Sequence, residues 1–285
     1  MTRQLPGTTR TDAPRSAAPA GAGQSAAGAS ARGFREQLPA LCAVAALLLL
    51  WQLLCWSGLV PAYMLPSPGQ VLRALAEDRA LLWGHAVITL KESILGLALG
   101  VLLGVGFAAL MDSFTLLRRA VYPILVMTQT IPAVAVAPLL VLWFGYEMTP
   151  KVILVVLATF FPVTVGVLEG FAGADRDAEA LLRSMGAGRR QVFFFLKVPS
   201  ALPQFFSGLR IAAAYAVVGS VISEWLGGFG GLGVYMTRVK KAFAFDRMFA
   251  VIFLISALSL LLMRLVDALE RLCMPYRFLT ERNKQ

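Results

Sequence analysis

An all-α membrane protein is the fold class that this sequence predicts, and three observations predict it. Apolar residues make up 58% of the 285 positions and charged residues only 15%, and mean hydropathy is +0.72, far from the balance of an average soluble domain. Six apolar runs, near 39–59, 86–110, 120–144, 151–172, 205–226 and 248–268, each reach the roughly 20 residues that a helix needs to cross a hydrocarbon core about 30 Å thick. Between the fourth and fifth runs lies one long polar stretch, residues 175–203, in an otherwise apolar half of the chain. The expected organisation is a disordered cytosolic tail over 1–36, a first span and an outer interfacial helix over 37–84, a transmembrane domain over 85–272 and a cytosolic tail over 273–285.

The tail is rich in Ala, Gly, Ser, Thr and Pro with scattered arginines, a composition that cannot bury a core. No small-residue cleavage site follows the first apolar run, so that run is read as a retained anchor. Ahead of the second run, Ser67 is a natural N-cap and Pro68 a natural first helical residue for a short helix carrying Val71, Leu72 and Leu75. The second run carries Gly96, Gly100 and Gly104 on one face, which permits close helix contact. The third contains Pro123, Pro132 and Pro138 around Thr128, Gln129 and Thr130. It should be kinked and partly polar, either bordering a pathway or satisfying its own backbone.

Within 175–203, Ala178, Leu181, Leu182 and Met185 recur at helical spacing and share one face. Asp175 or Asp177 can cap this helix, and Gly186 and Gly188 suit its end. Arg189 and Arg190 open a second segment that Pro199 should stop. An exposed apolar face on a polar loop needs a headgroup layer or a partner protein to cover it.

Charge sets the topology. Seventeen Lys and Arg residues fall on the side of the termini and the polar loop, and seven on the other, so both termini are expected in the cytosol. The outer loop with Arg238, Lys240, Lys241 and Arg247 is the exception. The net charge of +10 is accounted for by topology and anionic membrane lipid, and nucleic acid is not an expected partner. Lys91 and Glu92 near one end of the second span are expected to snorkel. Glu224, near the outer end of the fifth, reaches interfacial water or faces a pathway. The spans show no chain of buried carboxylates, and the glycines over 227–233 read as an outer turn.

No nucleotide-binding G-x-x-x-x-G-K-[ST] loop and no H-E-x-x-H motif occur, and His85 is the single histidine, expected to be an ordinary residue at a loop or span end. Cys42, Cys55 and Cys273 form no metal spacing and read as packing residues. The chain is not read as an enzyme and calls for no cofactor. Energy for moving anything against a gradient has to come from another chain.

The polar loop resembles the cytosolic loop of ABC-importer permeases, with its pattern E-A-A, three residues, G, nine residues, I-x-L-P. With Gly186 as the glycine, Leu196, Lys197, Val198 and Pro199 take the final positions and Ala180, Leu181 and Leu182 the first three, while Glu179 stands one residue early. Ile131-Pro132, Trp143-Phe144-Gly145, Ala201-Leu202-Pro203 and Ser207-Gly208-Leu209-Arg210 are similar to permeases for nitrate, sulfonate and taurine. Glu224-Trp225-Leu226-Gly227-Gly228, Gly231 through Lys241 and the run 246–262 look most like permeases for the pyrimidine precursor of thiamine. The resemblance implies coupling helices that dock on an ATP-binding ABC subunit through Ala178, Glu179, Leu181, Leu182, Arg183, Met185, Gly186 and Arg189. It further implies a second permease copy forming a homodimer, an extracytoplasmic substrate-binding protein, and import driven by ATP hydrolysed elsewhere. Thr128, Gln129, Thr130 and Glu224 are the candidate pathway residues. Permeases for sulfonate, taurine or nitrate are the nearer alternative; an ion-coupled secondary transporter or a membrane scaffold subunit are those of another class.

Overall fold

The computed structural model describes residues 26–61 and 64–275; of the expected tails, 1–36 and 273–285, residues 1–25 and 276–285 lie outside them, while 26–36 are helical. The chain divides into two compact units, Met1–Leu53 and Leu54–Gln285. The first is built on helix α1, Ala26–Trp56, which starts well ahead of the apolar run expected at 39 and exposes Leu47 and Leu49 along its length.

Every regular element among the described residues of the second unit is a helix. Its first helix, α2 (Pro68–Glu77), begins as expected: Ser67 caps it by accepting from the Gln70 N–H, Gln70 reaches back to the Ser67 N–H, and Pro68 opens it. Val71 and Ala74 face inward while Leu72 is exposed. Next come α3 (Arg79–Ser113), α4 (Thr115–Thr128), α5 (Ala133–Phe144) and α6 (Met148–Ala172). The expected kink in the third run is a 97° break between α4 and α5. Pro132 lacks an N–H and pushes Ile131 out of the helical region, so neither helix can run through.

The polar loop folds into α7 (Arg176–Ser184) and α8 (Arg189–Val192). Pro199 does not stop the second segment, as the sequence reading expected. A π turn over Phe193–Lys197 leads into α9 (Val198–Trp225), and Arg189–Trp225 is one helix of 37 residues. The Val198 N–H already bonds five residues back, to Phe193, so the wide turn takes up the ring and missing donor of Pro199. Two helices complete the unit, α10 (Leu232–Lys241) and α11 (Phe245–Cys273).

The core is the seam where α3, α6 and α9 pack. Each helix presents a row of buried residues at intervals of four: Glu92, Gly96, Gly100 and Gly104 on α3; Lys151, Val155, Thr159 and Val163 on α6; Gly208, Ala212, Ala216, Ser220 and Glu224 on α9. Such rows lie along one face. The three glycines of α3 work as anticipated, since a Cβ at Gly96 would enter Val155 and one at Gly100 would enter Thr159. On the α6–α9 side a Cβ at Gly170 would lie 2.6 Å from the Ala201 Cα, so the two backbones touch there.

Among the described residues four helices are long and apolar enough to cross a membrane, Arg79–Ser113, Met148–Ala172, Arg189–Trp225 and Phe245–Cys273, and α4 with α5 makes a fifth if the bent pair is one span. The apolar part of α1, Leu41–Trp56, is shorter, so the first expected span, 39–59, has only this counterpart among the described residues. Cys42 and Cys273 are exposed, contrary to their reading as packing residues.

Gly100→Val should therefore lower stability by roughly 1–3 kcal/mol, the usual cost of overpacking. Gly106→Ala on the same helix, where an added Cβ meets nothing, should be neutral or stabilising, and thermal unfolding of the detergent-solubilised protein separates the two.

Candidate functional site

The ends of α9 carry the two candidate regions. At its leading end α7 is capped by Asp175, whose carboxylate accepts from the Asp177 and Ala178 N–H groups. It buries no residue, and Leu181 and Met185 are 61% and 75% exposed. Ala178, Glu179 and Leu182 are half-buried and Arg183, Gly186 and Arg189 exposed. Gly186 holds φ +88°, a left-handed turn that glycine adopts without strain. It lets the Ala187 N–H close back on the Leu182 carbonyl at 2.9 Å. Glu179 pairs with Arg183 one turn on, 2.6 Å between Oε1 and Nη2, and this hydrogen bond holds the Glu179 carboxyl below its ordinary range. The eight loop residues expected to act together thus lie on one short, outward-facing knuckle.

At the far end of α9 the structure assembles a cluster that the sequence reading missed. Glu92 does not snorkel: it is 3% exposed, and Lys151 Nζ donates to its Oε1 at 2.7 Å. Glu224 does not reach water either: it is 1% exposed and lies against Glu92. The Thr89 hydroxyl donates to its Oε1 at 2.7 Å and the Gly233 N–H to its Oε2 at 2.6 Å. His85 is buried in α3 with Nδ1 accepting from the Gly231 N–H at 3.0 Å, and Thr89 Oγ1 accepts from the Leu232 N–H at 2.9 Å. Ser93 and Ser220 hydroxyls pair 2.9 Å apart beside them. Helix α10 therefore has its first N–H groups, which no helix can satisfy internally, bound by side chains of α3 and α9. A carboxylate there also meets the positive end of the helix dipole. Gly231, at φ +116°, lies so close to the Glu224 carboxyl that no Cβ fits, which explains part of the glycine-rich turn.

Two carboxyl groups and one ammonium are thus buried together, and Glu92 Oε2 has no hydrogen-bond partner among the described residues. The spans do hold paired carboxylates, contrary to expectation. The available signal was spacing: Glu92 extends the row of Gly96, Gly100 and Gly104 by one step of four, and Glu224 does the same for Ser220 and Ala216.

Further along the same end, the Tyr235 hydroxyl donates to Asp78 Oδ2 at 2.7 Å, and Arg247 reaches the same oxygen at 3.2 Å. Burial, then the neighbouring Asp78, raises the Tyr235 phenol above its ordinary range. The expected pathway residues Thr128, Gln129 and Thr130 are exposed at the α4–α5 break, where both threonine hydroxyls bond to backbone carbonyls three residues back. They do not meet Glu224.

Lys151→Met should destabilise the protein by about 3–5 kcal/mol, because it leaves the Glu92 charge buried without a partner. Adding Glu92→Leu should recover most of the loss. A double-mutant cycle on the unfolding midpoint reads the coupling directly.

Residues 96–273 match the family described as binding-protein-dependent transport system inner membrane component. The formylaminopyrimidine transport permease protein ThiX of Halalkalibacterium halodurans is 44% identical over 216 residues, covering 75% of this chain and 86% of that protein. The taurine transport system permease protein TauC of Escherichia coli is 31% identical over 240 residues, covering 82% and 87%. A solved chain of the methionine ABC transporter MetNI in inward-facing conformations shares the fold, with a TM-score of 0.61 at 19% identity over 68% of this chain and 97% of that one. The chain belongs to the binding-protein-dependent inner-membrane components, and it is the multi-pass, non-enzymatic permease subunit of an ABC importer.

Proposed function

We propose that this permease imports a small pyrimidine, the hydroxymethylpyrimidine-type precursor of thiamine. The observation that carries the reading is the 44% identity to a formylaminopyrimidine permease, against 31% to the taurine permease. The likeness of residues 224–262 to permeases for the thiamine pyrimidine supports it. The exposed break between α4 and α5, with Gln129 between two threonines whose hydroxyls are already engaged, is the proposed edge of the solute path. The burial of Glu224 suits a residue that fixes the α10 N-terminus.

The α7 knuckle is the proposed docking site for the ATP-binding subunit, with Leu181, Leu182 and Met185 as apolar contacts and Arg183 and Arg189 as charged ones. Two copies of the permease form a homodimer over two ATP-binding subunits, and an extracytoplasmic substrate-binding protein delivers the solute. Closure of the nucleotide-bound subunits then switches access from outside to inside. Both termini lie in the cytosol, and the apolar stretch of α1 is the first of six spans.

A second reading, an aliphatic sulfonate, taurine or nitrate, is favoured by the exposed Arg238, Lys240 and Lys241 on α10, which suit an anionic solute or an acidic face on the binding protein.

Cells lacking the chain and cells with it restored should differ in ATP-dependent accumulation of labelled hydroxymethylpyrimidine. Accumulation of labelled taurine instead would replace the first reading by the second. Leu182→Asp places a charge on the proposed contact face and should release the ATP-binding subunit during copurification; retention of the subunit with unchanged uptake would refute the docking assignment.

A further inference from the structure

The α7 knuckle packs on α8 and buries nothing of its own. Between this loop and the end of α3 lies a cleft of about 790 Å³, with Gly106, Ala109 and Leu110 on the α3 side and Glu179, Arg183 and Arg190 on the other. The loop is therefore held away from α3 across open space.

A single ion pair closes one edge of that cleft. Lys197 Nζ donates to both oxygens of Asp112, at 3.0 Å and 2.8 Å, and the two side chains are 22% and 15% exposed. Neither residue has a local reason to stand where it does. Asp112 is in the last turn of α3, where the negative end of the helix dipole disfavours a carboxylate. Lys197 ends the π turn, whose wider winding shifts the side chains that follow round the helix axis. The pair is charge-assisted and two-pronged, so it fixes direction as well as distance.

What Asp112 is attached to matters equally. It stands two helical turns beyond Gly104, the last member of the glycine row that locks α3 to α6. A push delivered at Lys197 therefore enters α3 at one end of its tight seam.

Resting on the reading of α7 as the docking site, we propose that Asp112 and Lys197 are positioning residues that form a strut, passing displacement of the docked loop into α3 and through the glycine seam into α6. Without the strut, the ATP-binding subunits still dock and hydrolyse ATP, but their movement is spent in opening and closing the cleft.

The test uses the full importer in proteoliposomes, with ATP-binding subunits and binding protein, and compares Asp112→Asn, Lys197→Met and the exchange Asp112→Lys with Lys197→Asp. The probes are labelled hydroxymethylpyrimidine and, in parallel, labelled taurine. In each single variant the ATP-binding subunit should stay bound and ATP hydrolysis should change little. Solute moved per ATP should fall roughly ten-fold, within the range of coupling factors between linked sites. The exchange should restore most of it; the discriminating readout is the fall in solute per ATP while docking and ATP hydrolysis hold, which a merely local stabilising role would not produce. Unchanged solute per ATP in both single variants would overturn the proposal. So would release of the ATP-binding subunit, because the pair would then be shaping the docking surface itself. The docking reading fails on a different measurement, retention of the subunit by Leu182→Asp, so the two failures are told apart.

Discussion

The structure depends on close approach of three helices. Lipid offers no hydrophobic advantage for burying one apolar helix against another, so association rests on van der Waals fit and internal hydrogen bonds. The fit here is made with glycine, alanine and serine at every fourth position on α3 and α9, against valine and threonine on α6. Where Gly170 meets Ala201 the side chain has been reduced until backbones touch. The helices around this seam are less committed: α4, α5 and α11 expose many of their large apolar side chains in the single chain, as surfaces meant for lipid or for other subunits would.

Each of the three rows ends in an ionisable residue, and all three arrive at the same end of the seam. Burying them carries a large desolvation cost that ion pairing alone seldom repays. Here much of the compensation comes from backbone. The free N–H groups of α10 are short of acceptors, and His85, Thr89 and Glu224 are short of donors, so one arrangement satisfies both. The cost of burying these groups is thereby converted into a fixed position for α10 and the glycine-rich turn before it, which holds that end of the bundle to the core.

How much of this was legible depended on whether the deciding contact was local. The Ser67 cap, the Pro132 break and the amphipathic face of α7 follow from rules that act within a few residues, and each was foreseen in kind. The glycine row of α3 was legible because its small residues fall on one face whatever the partner is. Glu92, Lys151 and Glu224 were not. Each stands near a span end, where reaching for water is an equally good solution, and their meeting depends on the relative register of helices up to 132 residues apart in sequence. Pro199 misled for a related reason: a proline next to a π turn need not end a helix, and nothing within a few residues of it announces that turn. The site followed the same division, with the outward-facing knuckle read directly and the buried cluster read only as scattered charges.

The π turn that carries the chain past Pro199 has one further consequence. Because Arg189–Trp225 is a single helix of 37 residues, about 55 Å long at the usual rise per residue, the knuckle and the Glu224 cluster stand at the two ends of one rod. Their positions are not independent variables. Their separation is set by the rise of one helix and not by the length of a loop. A loop and a turn at opposite ends of this helix thus keep a fixed spacing.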